Sequence, residues 1–283
     1  MLQWILWIQS FNHPVLDRLF IIITMLGEEL FYIFILSGIY WCVNKAMARQ
    51  LVFVLTLSSV MNGALKEWFN TPRPFEIHEI RALRTETAHG ASFPSGHTQT
   101  VASFFGALAI LYKKWQLWVM ALILTGLVGV SRLYLGLHWP VDVLGGAGLA
   151  VLAVIMMKLF FSQAPKKRQI MLIGLGSCLL LLFFKTETFL KGHAVFTGFL
   201  MGWILESQFI NFKTSNRLNL QLSKFALGLT LTGIVFIAMK WGFPDQLVFT
   251  WMRYFLILVF VTAVIPWLFI KLKWSEEVSV ETK

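Results

Sequence analysis

The sequence predicts an all-helical, polytopic membrane protein, and three observations carry that expectation. Hydrophobic residues make up 57% of the 283 positions and charged ones 13%. That is about half the charge of a soluble domain, too little to coat a water-soluble globule. Uncharged runs recur at Gln50–Leu65, Trp115–Val130 and Val143–Met157, each near the roughly 20 residues that cross the hydrocarbon core. Trp41, Trp68, Trp115, Trp139, Trp241 and Trp274 fall near the ends of apolar runs, where an amphipathic indole favours the interface.

The elements follow in order. Residues 2–11 are aromatic and apolar but too short to span, which suits an interfacial helix. Pro14 redirects the chain, and residues 15–26 read as a second interfacial or re-entrant helix broken at Gly27. The first span is expected from about Glu28 to Val43, with Glu28 and Glu29 at a helix N-terminus among headgroups rather than at bilayer depth. Further spans are expected over 50–68, 98–113, 115–134 and 140–161. Beyond 169–185 come 188–206, 225–242 and 246–270, about nine in all. Gly198 and Gly202 give the span at 188–206 a small face for close packing. Cys42 and Cys178 lie inside apolar runs and read as small core residues. The N-terminus lacks the pattern of a cleavable signal.

Charge orients the chain. Lys45 and Arg49, Lys113 and Lys114, Lys166 to Arg168, Lys213 to Lys224, and Lys271 and Lys273 follow alternate spans. Such basic loops stay in the cytoplasm, so the N-terminus is expected outside and the C-terminus inside. The loop 69–97 then lies outside, its Arg73, Arg81 and Arg84 partly offset by Glu76, Glu79 and Glu86. The net charge of +10 is spread over short loops rather than one face, which argues against a nucleic-acid partner. Residues 1–168 hold everything that looks chemical. Residues 169–283 are expected as a C-terminal three-span membrane extension without a compact polar cluster.

Three polar segments stand out: Lys66 to Pro74, Pro94 to His97, and Ser131 to Asp142. The spans between them descend and return, so all three segments reach one face of the membrane. Lys66, Arg73 and Arg132 supply three cations, and a phosphoryl group in flight spreads charge over three equatorial oxygens. Ser95 adds a hydroxyl, and the Gly96 and His97 amides open a helix whose N-terminus attracts anions. His138 and Asp142 are four apart, which on one helical turn lets the carboxylate fix the imidazole and free its other nitrogen for attack. His97 remains as a proton donor to a leaving alkoxide.

The pattern Lys-x6-Arg-Pro, Pro-Ser-Gly-His and Ser-Arg-x5-His-x3-Asp resembles the type 2 phosphatidic acid phosphatase (PAP2) superfamily. All three motifs match in order, over roughly residues 1–168, the catalytic core of such a protein. The resemblance implies that His138 becomes a phosphohistidine, that His97 is the general acid and that Asp142 orients His138. It implies that Lys66, Arg73, Ser95, Gly96 and Arg132 bind the substrate phosphate, with no metal or other cofactor. The substrate would be a lipid phosphate, monoester or pyrophosphate, cleaved at the extracytoplasmic face of a cell membrane, bacterial by its short loops. A phosphotransferase with a non-water acceptor would share the site. Vanadate-dependent haloperoxidase chemistry suits soluble proteins, and a non-catalytic lipid transporter or scramblase has no need of His97, His138 and Asp142 in register.

Other polar residues read as structural: His13, His78, His89 and His193 near span ends, and Lys191 and Glu206 as interfacial groups. An Arg132–Asp142 ion pair competes with Asp142 on His138, and the motif favours the latter. Arg81, Arg84 and His89 read first as outer-loop residues, with headgroup contact as the lesser reading.

Overall fold

A computed structural model describes residues 1–77, 80–214 and 217–276. His78 and Glu79 of the loop 69–97, and the polar tail from 277, lie outside the described residues. Helices dominate, and there is no β-strand among the described residues. The chain divides into two compact units: Met1–Phe31 with Leu57–Ser162, and Tyr32–Thr56 with Gln163–Lys283.

In chain order the helices are α1 (Leu2–Gln9), α2 (Pro14–Met25), α3 (Glu29–Gly38), α4 (Lys45–Phe69), α5 (Pro74–Ile77), α6 (Gly96–Tyr112), α7 (Trp115–Tyr134), α8 (Pro140–Phe160), α9 (Lys167–Cys178), α10 (Glu187–Leu205), α11 (Leu218–Gly242), α12 (Leu247–Val259) and α13 (Ile265–Lys271). By length and apolarity, six helical stretches can cross a membrane, and a seventh if α2 and the stretch Glu29–Val43, bent by 47°, count as one. The span expected from Glu28 meets that measure only together with α2. The 98–113 segment forms the 17-residue α6, at the lower end of the length that crosses the hydrocarbon core. The 169–185 segment is only the 12-residue α9 followed by a 3-10 turn at Leu179–Leu182. The long helices expose Leu122, Leu144 and Leu159 by two-thirds or more, as lipid-facing side chains do.

In the first unit α6 packs on α7 and α8, and α1 and α2 lie on α7. Close approach needs small residues. A Cβ on Gly146 of α8 would come within 2.5 Å of the Ser95 carbonyl oxygen, and one on Gly129 of α7 within 2.5 Å of Val143. A buried polar chain ties α4 to α6: Asn62 donates to Gln99 at 2.6 Å, Gln99 donates to the Ser58 hydroxyl at 2.6 Å, and Ser58 meets Ser103 at 3.0 Å. Such bonds average about 0.6 kcal/mol between membrane helices, so their main effect is to fix register. Tyr134, Leu135 and Leu137 form a small core with Leu16, Phe20, Phe75 and Leu83. That core sits under the α7–α8 turn, which Gly136 makes at φ +72°.

In the second unit α10 packs closely on α12. A Cβ on Gly198 would meet the Phe255 carbonyl oxygen at 2.5 Å, and one on Gly202 would collide with Thr262, so the predicted small face is used. The core gathers Tyr40, Trp41, Phe212, Ile265 and Phe269. Glu206, read as an interfacial residue, is fully buried. It accepts from Lys45 at 2.9 Å and from Arg49, and its Oε1 also accepts from the Phe212 amide. His193 is fully buried too, its Nδ1 accepting from the Trp251 indole at 3.1 Å. Cys42 and Cys178 are free thiols.

Candidate active site

The first unit brings all three polar segments together. Lys66 ends α4, Ser95 is the N-cap of α6, Arg132 lies in the last turn of α7, and Asp142 lies in the first turn of α8. His138 and Asp142 do not share a helical turn, because α8 begins at Pro140. Asp142 instead reaches back over the helix N-terminus. Its Oδ2 accepts from the Trp139 amide at 2.7 Å, the Ser92 hydroxyl at 2.5 Å and His138 Nδ1 at 3.2 Å. One carboxylate thus caps the helix and holds the ring. With Nδ1 committed as a donor, the neutral tautomer presents a lone pair at Nε2. Arg73 Nη1 lies 3.3 Å from that nitrogen.

Burial, followed by the charges of Arg132, Arg73, Lys66 and His97, pushes the His138 imidazole well below its ordinary range. It is therefore neutral at pH 7. Arg73 is only 2% exposed and is anchored by main-chain oxygens: Nε donates to Gly90 at 3.0 Å, Nη1 to Leu137 at 2.9 Å and Nη2 to His89 at 2.9 Å. Lys66 donates to the Ala91 carbonyl. The 89–91 stretch is thus drawn onto two cations. Arg132 is fully buried and donates through Nη1 to Thr24 at 3.1 Å and Thr87 at 3.3 Å, while Nε and Nη2 have no partner. His97 Nε2 is likewise buried and unpartnered. Three unmet polar atoms in one buried region, two of them cationic donors, can receive an anion with several oxygens.

Ser95 is fully buried, its amide donating to the Asp142 carbonyl at 2.9 Å and its hydroxyl lying 3.0 Å from Thr98. Gly96 opens α6, and a Cβ there would come no nearer than 3.7 Å to its surroundings. No Arg132–Asp142 ion pair occurs among the described residues, so the competing arrangement is absent.

Residues 47–169 match the PAP2 superfamily model, and residues 190–277 match the model described as PAP2 superfamily phosphatase, transmembrane extension. Undecaprenyl-diphosphatase BcrC of Bacillus subtilis is 30% identical over 156 residues, covering 54% of this chain and 77% of that protein. The chain belongs to the PAP2 superfamily. It is therefore a multi-pass membrane phosphatase of that class. Phosphatidylglycerophosphatase B of the same organism is 29% identical over 172 residues, 56% of this chain and 81% of that one. A crystal structure of a transmembrane PAP2-type phosphatidylglycerolphosphate phosphatase from Bacillus subtilis aligns at a TM-score of 0.50 and 26% identity, over 57% of this chain and 84% of that one.

Several residues of the PAP2 site escape a reading by motif. Ser92 holds Asp142 from a loop tied down by Thr71, whose carbonyl and hydroxyl accept from the Ser92 and Phe93 amides at 2.8 and 2.9 Å. Thr24 and Thr87 take the Arg132 guanidinium. Gly27, expected as a helix break, lies against the ring-bearing carbon of His97: an added Cβ would come 2.6 Å from it. No spacing rule links these positions to the motifs. His13 caps α2, its Nδ1 accepting from the Val15 amide.

Proposed function

We propose that this protein hydrolyses a lipid phosphate, monoester or pyrophosphate, through a phosphohistidine at the extracytoplasmic face, without a metal. The observation that carries this reading is the placement of His138, held at Nδ1 by Asp142 and facing Arg73 with Nε2. Arg73, Lys66 and Arg132 neutralise the bound phosphate, with Ser95 and the Gly96 amide adding donors. The Nε2 lone pair attacks phosphorus as the bond to the lipid oxygen breaks, and that oxygen takes the Nε2 proton of a His97 imidazolium, the form that the bound phosphate anion favours. His97, now neutral, removes a proton from water. The resulting hydroxide attacks the phosphohistidine, releasing phosphate and restoring His138. The substrate classes are those of the relatives' names, a glycerophosphate lipid or an isoprenoid diphosphate.

Acid–base quenching tests the intermediate. Single turnover of a ³²P-labelled lipid phosphate in excess EDTA should leave an alkali-stable, acid-labile label on the wild type and none on His138→Ala. Label that survives His138→Ala, or that needs added Mg²⁺, would place the chemistry elsewhere. Orientation is read separately with an impermeant maleimide on intact cells. Thr85→Cys should react and Lys114→Cys should not, both positions being exposed. The reverse pattern turns the site toward the cytoplasm.

A further inference from the structure

The reaction has two sides, and His97 marks the one on which the leaving group departs. What lies beyond His97 in the first unit is a small charged structure outside the motifs. Gly27 packs on the His97 Cβ, and the next residue, Glu28, pairs with Arg84: Arg84 Nη2 lies 2.9 Å from Glu28 Oε1. Both side chains are 20% exposed. The contact is ionic without being an aligned hydrogen bond, since Glu28 Oε1 accepts none. Arg84 Nε reaches only the largely exposed Glu86, at 3.4 Å. Arg84 is also held in a left-handed conformation at φ 59°, the N-cap of the 3-10 turn Thr85–Thr87. A non-glycine residue there carries strain. The same turn supplies the Thr87 hydroxyl to Arg132.

Building on the phosphatase reading, we infer that Arg84 docks the second phosphate of a lipid diphosphate, with Glu28 as its resting counter-ion. In a diphosphate, the atom leaving toward His97 is the bridging oxygen, and the group behind it is the lipid-linked phosphate. A guanidinium just beyond His97 meets that phosphate as a planar fork. In a monophosphate the same place receives an alkyl carbon, which gives Arg84 nothing to bind. A loosely aligned pair with Glu28 is readily exchanged for a phosphate. The strained backbone fixes the guanidinium beside the site without a second anchoring hydrogen bond.

The test compares farnesyl diphosphate with farnesyl monophosphate on the full chain in detergent. Wild type should favour the diphosphate in kcat/KM. Arg84→Gln should narrow that preference at least tenfold, and Arg84→Lys should recover part of it. Glu28→Gln, which removes the competing anion, should lower KM for the diphosphate. A wild type that favours the monophosphate, or an equal loss on both lipids in Arg84→Gln, would overturn the inference and leave the phosphatase reading standing. Cleavage of neither lipid by the wild type would remove that reading, and this one with it. A measurement on wild type alone guards against a misfolded variant. Against p-nitrophenyl phosphate turnover, pyrophosphate should inhibit at concentrations at least tenfold below orthophosphate, and equal potency would overturn the assignment.

Discussion

In the unit formed by residues 1–31 and 57–162, Lys66, Arg73 and Arg132 make no direct ion pair with a carboxylate among the described residues, and Arg132 keeps two nitrogens unbonded. In the unit formed by 32–56 and 163–283, the buried carboxylate Glu206 is saturated. Lys45 and Arg49 hold its two oxygens, and Lys45 also donates to Asn211 at 3.1 Å and to the Phe212 carbonyl at 2.6 Å. Both clusters bury charge; the second leaves one donor unmet, Arg49 Nε, whereas the first leaves two Arg132 nitrogens and the His97 imidazole nitrogen unmet. A saturated cluster resists change and holds helices together, whereas an unsaturated one stores an electrostatic demand that a ligand satisfies. Single unbonded nitrogens also occur in the second unit, at Arg49 Nε and at Arg253 Nε, and Arg253 donates only to Thr250. It has no histidine–carboxylate pair beside it among its hydrogen-bond partners.

The largest effect that would sharpen this contrast lies at His97, whose unbonded Nε2 is proposed to hold the leaving-group proton. A lipid alkoxide needs that proton, and p-nitrophenolate leaves without it. His97→Ala should therefore lose about 10²–10⁴-fold in kcat/KM on a lipid monophosphate, and far less on p-nitrophenyl phosphate. Equal losses, with phosphoryl transfer limiting both, would return His97 to the phosphate-binding group.

Stability separates the clusters next. Breaking a buried pair by removing one partner costs about 3–5 kcal/mol. Glu206→Gln strands two cations and should lower the thermal midpoint in detergent by several degrees, with kcat/KM of the folded fraction within threefold of wild type. Arg132→Gln removes a buried charge that makes no ion pair with a carboxylate among the described residues. It should leave the midpoint level or raise it while activity falls about a hundredfold. If Glu206→Gln melts like wild type, or Arg132→Gln melts as low as Glu206→Gln, the distinction between the two clusters fails.

The sequence made the helical membrane class, the small face at Gly198 and Gly202, and the gathering of His97, His138, Asp142, Lys66, Arg73, Ser95 and Arg132 legible. Composition sets the first, helical spacing the second, and alternate crossings the third. Less was legible where tertiary contacts decide. Ser92 and Thr24 meet the site through loops and turns whose paths follow no period. The cluster at Glu206 draws both cations from residues before 50, so a reading of 169–283 alone finds no polar group to match it. The helix start at Pro140 was also hidden: a four-residue spacing looks like one helical turn, yet the carboxylate reaches His138 around an N-terminus. Length misled at 169–185, because hydropathy counts apolar residues and does not see where a helix breaks or shortens.

The smallest expected effect, and the most direct on the electrostatics, is the pH dependence of His138 phosphorylation. Burial and the surrounding cations depress its folded-state affinity for a proton well below the usual value near 6.5. The neutral, nucleophilic form is thus present above the depressed value and is lost only as pH falls through it. Single-turnover labelling, divided by the dianionic fraction of the substrate, should hold its plateau below pH 6.5 in wild type. Lys66 is one of the named cations, and removing its charge lets an imidazolium form more easily. In Lys66→Gln the acid limb should therefore move to higher pH, by up to about one unit since burial remains the larger cause. Labelling suits this variant, because it reads formation of the intermediate even when turnover is slow. A limb that stays in place would mean that burial alone sets the His138 titration. A shift to lower pH would contradict a cation cluster acting on the nucleophile, and with it the contrast between the two units.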